Sequence, residues 1–499
     1  MVTKKIKTSN QFWVTIDYLL FIIVIVSGIF WHFQATWHQA VFGDEIHSLF
    51  FFSEHSFLSL NIRAVEPIHP NGIYVLLKFL YSFTPSVLAL RVWIFILFLA
   101  SSVVFWQIMK VFSFKTNGKL AGLALWVSSA YLWHFSFQLR MYGPASLFVL
   151  LSFWSILKKK PWLSLLFDWL LLVFAYGGGL FVVAKWVAYL SLQALQLRKT
   201  KKPKNHFVTN LGLSLGVLIP ITVIASHFWQ NNSIVNQNFL YWVKTPVSAD
   251  WSLGLFSFAT GLFLPYFEGY SGLGQIWIQL GVATALLTLV GLITAMLFGY
   301  QYHTKLFLWF KTLNWTTQLL WFTCSISLIF YTALFFWSIG LNSHLFHIRQ
   351  IFPIAIICWL GLSWLINQCS GKFAHLMTIM VLVVAGFNQV VIAKDSLGSG
   401  QAYVHHYTTL PGIPLLASPT EVELIYKQCH TFDRSEAKSR CADHDIYLVE
   451  ANYKIDPNWI EWWQTSRITN QTSKNDSHSI SYTCAYETVD YYHCQQKTE

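Results

Sequence analysis

Asp44 and Glu45 stand side by side after the first long apolar run, in the stretch GDEIHSLFFFSEHSFLSLNIRAVEPIHP from 43 to 70. A carboxylate within hydrogen-bond reach of a hydroxyl or amine can take its proton, so this pair is the first candidate for acid–base chemistry. His47 and His69 lie in the same stretch, with Glu54 and Glu66. Each residue has an ordinary reading beside the chemical one. Asp is a favoured helix N-cap and Glu suits a first helical turn, so the pair fits the start of a helix equally well. A histidine near an interface is more often a hydrogen-bonded structural residue, and Glu66 beside Pro67 reads as a turn.

Cations form the second group. Arg91 lies just inside an apolar run, Arg140 and Tyr142 lie in QLRMYGPASLF, and Arg349 lies in SHLFHIRQIFPIAII. A guanidinium presents a planar fork that matches phosphate oxygens, so three gathered at one face would suit a lipid-phosphate headgroup. Any one of them alone more commonly snorkels to headgroups. Asp168 and Lys185 are buried deeper in apolar sequence, at similar distances from the turn at 176–179. A charge at the bilayer centre costs about 2.5–3.5 kcal/mol, so these two are expected to form a structural ion pair.

The elements that must position these residues follow from composition and charge. Of 499 residues, 55% are hydrophobic, 18% aromatic and only 11% charged. Soluble domains average roughly 25% charged, so the chain reads as an α-helical polytopic membrane protein. At roughly 20 apolar residues per span, spans fall near 13–33, 86–109, 120–137, 143–157, 162–177, 179–197, 207–228, 274–298, 313–339, 350–366 and 373–393, about eleven in all. The N-terminal run continues to about residue 33 without a small-residue cleavage site, which favours an uncleaved first span over a signal peptide.

The net charge of +11 is explained by its distribution. Lys4, Lys5 and Lys7; Lys110, Lys115 and Lys119; Lys158 to Lys160; Arg198 to Lys204; Lys305 and Lys311; and Lys372 fall in segments of one side that hold no acid. Asp44, Glu45, Glu54, Glu66, Asp250 and Glu268 fall on the other. The positive-inside rule puts the N-terminus in the cytoplasm and the acidic loops outside, with no call for nucleic acid.

The first outer loop, about 34–85, is expected to hold two juxtamembrane helices. In the first, Ile46, Leu49, Phe50, Ser53, Phe57 and Leu60 recur at helical spacing; the second runs from Asn71 to Phe83 and stops at Thr84-Pro85. A transmembrane domain of 1–393 is followed by a small extracytoplasmic α+β domain, 394–499, with DIYLV at 445–449 as a candidate strand. That domain holds Cys429, Cys441, Cys484 and Cys494, expected as two disulfides in an oxidising compartment with three connectivities open. Cys324, Cys358 and Cys369 lie in or beside apolar spans and read as packing residues. No C-x-x-C pair points to zinc.

The order of these features resembles the GT-C class of membrane glycosyltransferases, in its protein O-mannosyltransferase and aminoarabinose-transferase branch. Asp44-Glu45 matches the acidic motif of the first outer loop. His69-Pro70-Asn71-Gly72-Ile73-Tyr74 is similar to the His-Pro-Pro-Leu-like segment, without its second Pro. Leu90-Arg91 heads the next span, Arg140-Met141-Tyr142 matches an R-x-Y signature, and Arg349 precedes Pro353 as in the late span. Gln138 stands where an acid usually precedes the R-x-Y signature. The resemblance covers roughly 10–395 and leaves the C-terminal domain aside.

The resemblance implies an inverting transferase of a bacterial inner (plasma) membrane. Its partners would be a polyprenyl-phosphate-linked sugar, membrane lipids, and a glycan, lipid or protein acceptor. Asp44 would be the base, Arg349, Arg140 and Arg91 would face the donor phosphate, and Glu45, His69, Tyr142 and His47 would orient Asp44 or the acceptor. No cofactor is specified, and a divalent metal stays open. The rivals are a transporter or flippase, a polysaccharide polymerase or ligase, and a receptor on a membrane anchor. A transporter would place its ionisable residues near the midplane, and a polymerase would use a large late outer loop. A receptor would need far fewer spans.

Overall fold

The computed structural model describes residues 2–38, 43–62, 70–129, 132, 136–200, 205–220, 222, 310–340, 352–407, 482–488 and 491–496. Helices dominate them. In order they are α1 (Val2–His38), α2 (Gly43–Glu54), α3 (Phe57–Ile62), α4 (Gly72–Phe83), α5 (Val87–Val111), α6 (Thr116–Val127) and α7 (Tyr142–Leu157). Then come α8 (Pro161–Phe174), α9 (Gly178–Thr200), α10 (Asn205–Leu215), α11 (Trp315–Gly340), α12 (Phe352–Gln368) and α13 (Gly371–Tyr407). Two strands, β1 (Tyr482–Thr488) and β2 (Tyr491–Gln496), form an antiparallel pair.

Among the described residues, five segments are long and apolar enough to cross a membrane: Thr15–Trp37, Val87–Val111, Gly178–Leu197, Trp315–Leu334 and Gly371–Val390. They expose large apolar side chains, among them Ile22, Ile23 and Val26 on α1 and Val383 and Val390 on α13. In water such faces would be a liability; against lipid tails they are the expected surface. The expected spans at 143–157, 162–177, 207–228 and 350–366 are realised as shorter apolar helices. The one near 274–298 lies outside the described residues, as does the candidate strand at 445–449.

The local sequence explains where helices start and stop. Ser86, in an extended conformation after Pro85, accepts a hydrogen bond from the Ala89 N–H and caps α5. Pro161 opens α8, where its missing N–H costs nothing. The third span corrects the expectation: α6 ends at Val127, well short of 137. Ser128 and Ser129 follow, and the Val127 carbonyl accepts instead from His32 Nε2 at 2.9 Å. A carbonyl only accepts, so Nε2 carries the proton and, in the neutral ring, Nδ1 accepts from Ser136 Oγ at 2.6 Å.

Helices α1, α6 and α13 are tied by polar groups at two levels. Gln389 of α13 donates to the Val24 carbonyl at 2.5 Å and to Ser128 Oγ at 2.7 Å, and Ser27 donates to it. Nearer the other end, His375 Nδ1 meets Asp17 Oδ2 at 2.5 Å beside Asn117. Gly118 and Gly122, four apart on α6, let α12 approach; an added Cβ would lie 2.8 Å from Asn367 Cβ or 2.7 Å from Ser363 Oγ. Small residues at this spacing are how helices close on one another in lipid, where burial alone drives little association.

Asp168 and Lys185 form the expected pair, both with no exposed surface. Lys185 Nζ lies 2.7 Å from each carboxylate oxygen and 2.5 Å from Ser164 Oγ, and also bonds Ser152 Oγ. Trp186 Nε1 donates to Asp168 Oδ2 at 2.7 Å. One cluster thus joins α7, α8 and α9.

Gly72, the first residue of α4, sets how that helix meets α8. A Cβ there would sit 2.4 Å from the Val173 carbonyl oxygen. Gly72→Ala is therefore expected to destabilise by about 1–3 kcal/mol through forced displacement of α4. Gly212→Ala, whose Cβ meets nothing within 4 Å, is the control and should be neutral or mildly stabilising. Thermal unfolding of the full chain in detergent reads both; equal midpoints for the two variants would contradict the close contact.

Candidate active site

The acidic stretch folds as α2, a break at His55–Ser56, and α3. Ser56 Oγ accepts from the Ser59 N–H and starts α3. Of the expected apolar stripe, Leu49 and Leu60 are buried, Ser53 is half-buried and Phe57 is 47% exposed, and Glu45, Ser48 and Phe52 are buried with them. The face that turns inward carries the carboxylate.

Glu45 is buried with its partners. Arg91, one turn inside α5, donates from Nη2 to Glu45 Oε2 at 2.6 Å and from Nε to Oε1 at 3.1 Å. Oε1 also accepts from the Leu139 N–H at 3.0 Å. Both side chains are fully buried, and the Arg91 guanidinium lies 5.4 Å from the Phe137 ring centroid. A forked, charge-assisted pair with a third donor satisfies a carboxylate that would otherwise be costly to bury.

The same contact seats the R-x-Y segment. The Arg140 N–H turns back to the Gln138 carbonyl at 2.7 Å, which frees the Leu139 N–H for Glu45. Arg140 is 4% exposed, and its Nη1 donates to Ser48 Oγ at 3.3 Å. Asp44 occupies the second position of α2, four residues and one turn before Ser48. It lies within the first turn, where the expectation has it as the cap. His47 is three residues further along the helix. Tyr142, which opens α7, is buried with its ring 6.1 Å from that of Phe352, the first described residue of α12.

Two further bonds fix α2 and α3 to the chain around α4. Lys78 of α4 donates to the Phe52 carbonyl at 2.8 Å, near the end of α2. Asn71 Nδ2 donates to the Leu60 carbonyl at 2.8 Å. Phe51 packs on Tyr74 and Phe52 on Tyr81, with ring centroids 5.4 and 5.3 Å apart. Helices α2, α3 and α4 thereby form a packed platform.

The structure thus brings together α2 with Asp44, Glu45 and His47, the head of α5 with Arg91, the segment of Arg140 and Tyr142, and the start of α12. His69, Arg349, Cys429 and Cys441 lie outside the described residues. Among the described residues no group of three His, Cys, Asp or Glu could hold a metal ion. Sequence reasoning assigns Glu45 and Arg91 separate roles and misses that they hold each other. The signal was present: Arg91 lies within a span, where a charge needs a partner. His32, whose ring anchors the approach to Arg140 through Ser136, was also missed.

Helical architecture and cluster together define a multi-pass, membrane-type helical protein with an acid–guanidinium platform where four separated parts of the chain meet. No family model and no curated protein matches the chain. Among solved structures it is similar to ArnT from Cupriavidus metallidurans bound to undecaprenyl phosphate, at 11% identity over 87% of this chain and 89% of that one, with a TM-score of 0.43. It is also similar to the S. cerevisiae protein O-mannosyltransferase Pmt1-Pmt2 complex bound to the sugar donor, at 14% identity over 43% of this chain, with a TM-score of 0.34. The matched part spans only 33% of that mannosyltransferase chain. Likeness at this level carries no argument about chemistry, which rests on the residues.

Proposed function

We propose that this chain is an integral-membrane glycosyltransferase that moves a sugar from a polyprenyl-phosphate-linked donor to an acceptor on the outer face of the membrane. The observation that carries the reading is the docking of the Arg140 segment on α2 through Glu45 and Ser48. It draws a candidate base and a guanidinium from distant parts of the sequence to one end of the helices. The sequence resemblance supports it independently, with its acidic, R-x-Y and late-span Arg motifs in order.

In the mechanism, Asp44 takes the proton of the acceptor hydroxyl or amine as that atom attacks the anomeric carbon. The bond from that carbon to the phosphate oxygen breaks on the opposite face, so the configuration inverts, as when one carboxylate activates water in inverting glycosidases. The leaving group is a phosphate that departs as an anion and needs no general acid. Arg140 and Arg349 stabilise its growing charge, which is where fixed cations act most strongly. Glu45 and Arg91 hold α2 and the Arg140 segment in register rather than touching substrate. Tyr142, His47 and His69 are assigned to the acceptor or to orienting Asp44.

The test is transfer by the purified full chain in liposomes from defined undecaprenyl-phosphate sugars to glycan, lipid and peptide acceptors. Asp44→Asn is expected to lower turnover by about 10²–10⁴-fold, the usual contribution of a general base. Arg349→Ala is expected to lower kcat by about 10²–10³-fold, as when a transition-state donor is removed. Undiminished transfer by Asp44→Asn, or no transfer from any such donor, sinks the reading.

A further inference from the structure

We propose that Cys484 and Cys494 form a disulfide across the C-terminal hairpin, fixing one of the three possible pairings of the four late cysteines. The strand register carries the inference. β1 and β2 are antiparallel, and the register sets Cys484 directly opposite Cys494, between the pairs Thr483–Gln495 and Ala485–His493. Residues directly opposed in an antiparallel ladder have Cα atoms about 4.5–5.5 Å apart. Disulfides span Cα separations of about 4.4–6.8 Å, so the register puts the two residues within bonding range. Alignment matters here because side chains alternate between faces. A slip of one residue would send the two thiols to opposite sides of the ribbon.

Two more observations converge on the pair. An isolated two-stranded hairpin is marginal in water, and β1–β2 is the sole sheet among the described residues. The ladder is irregular between Tyr486 and Thr488, near the turn, so Cys484–Cys494 would clamp it on the regular side. The charge distribution of the spans puts this domain outside, where disulfides persist. Cys324, Cys358 and Cys369, in or beside the apolar helices, are free thiols.

The bond forms by thiol–disulfide exchange with the oxidised form of a dithiol protein. One cysteine thiolate attacks that disulfide, and the second cysteine resolves the mixed disulfide. The pair loses two electrons and two protons, and the oxidant leaves as its dithiol. With Cys484 joined to Cys494, the pairings of either with Cys429 or Cys441 are excluded.

The test needs no variant. Intact cells making the full chain are treated with a membrane-permeant alkylating agent, and the protein is denatured, alkylated again and digested with trypsin without reduction. Residues 475–497 form one tryptic peptide that holds both cysteines. The expected result is this peptide unalkylated and lighter than its reduced form by two hydrogens. A second cut at Glu487 should yield two halves that separate only on reduction. Cys324, Cys358 and Cys369 must carry the label in the same sample. Finding 475–497 joined to peptide 428–434 or 441–454 overturns the pairing and leaves the outward placement standing. Alkylated Cys484 and Cys494 overturn the disulfide, and if Cys429 and Cys441 are labelled too, the outward placement falls with it. Neither result bears on glycosyl transfer, which the liposome assay decides separately.

Discussion

Glu45→Ala is expected to cost the fold about 3–5 kcal/mol, the usual penalty for leaving one member of a buried ion pair behind. Arg91 would then be a fully buried guanidinium without its fork. The Leu139 N–H would lose its acceptor as well. Arg91→Ala should fail to a similar degree by stranding the carboxylate. The double variant Glu45→Leu, Arg91→Met removes both charges at similar volume and should be more stable than either single one, because neither charge is then left buried without the other; the Leu139 N–H loses its acceptor at about 1–3 kcal/mol. Unfolding midpoints of the four proteins complete a double-mutant cycle. Adjacent residues would thereby separate: Asp44→Asn keeps the midpoint and loses turnover, whereas Glu45→Ala loses the midpoint first. A Glu45→Ala protein with a native midpoint and no transfer would give Glu45 a direct chemical part instead.

Much of the architecture was legible because lipid imposes a simple code. A run of apolar residues long enough to span is visible without any partner, and α1, α5, α9, α11 and α13 fall where the runs do. The stop at Thr84-Pro85 was equally legible, since the signal is local. What escaped depends on partners. α6 ends at Val127 because His32, nearly a hundred residues earlier, takes its last carbonyl. The buried side of α2 also carries Glu45, held by Arg91 from another helix, a partner that the apolar pattern of Ile46, Leu49, Phe50 and Ser53 does not reveal. In a chain so rich in apolar residues, a hydrophobic stripe is weak information and the rare charges carry more. That rule did find Asp168–Lys185, where turn geometry brings consecutive helices together, and it missed Glu45–Arg91, where no short turn links the partners.

Asp168→Asn puts that rule under its most direct test. The variant leaves Lys185 with no countercharge at 0% exposure, between helices whose neighbours are apolar. A lone charge near the bilayer centre costs about 2.5–3.5 kcal/mol, so α7, α8 and α9 should separate at a clearly lower temperature. Lys185→Met alone should also destabilise, since it strands Asp168 with Ser152 and Trp186 as its remaining donors. Combining Asp168→Leu with Lys185→Met replaces the pair by apolar volume and is expected to recover most of the midpoint, as buried pairs often can be exchanged for packing. Ser164→Ala removes one neutral acceptor and should cost only about 1 kcal/mol. Transfer activity should follow stability through this series, because the cluster joins helices and lies apart from α2. If Asp168→Asn keeps its midpoint and transfer while proton or ion flux in sealed liposomes changes, the pair belongs to a conduction path and the transporter reading regains ground.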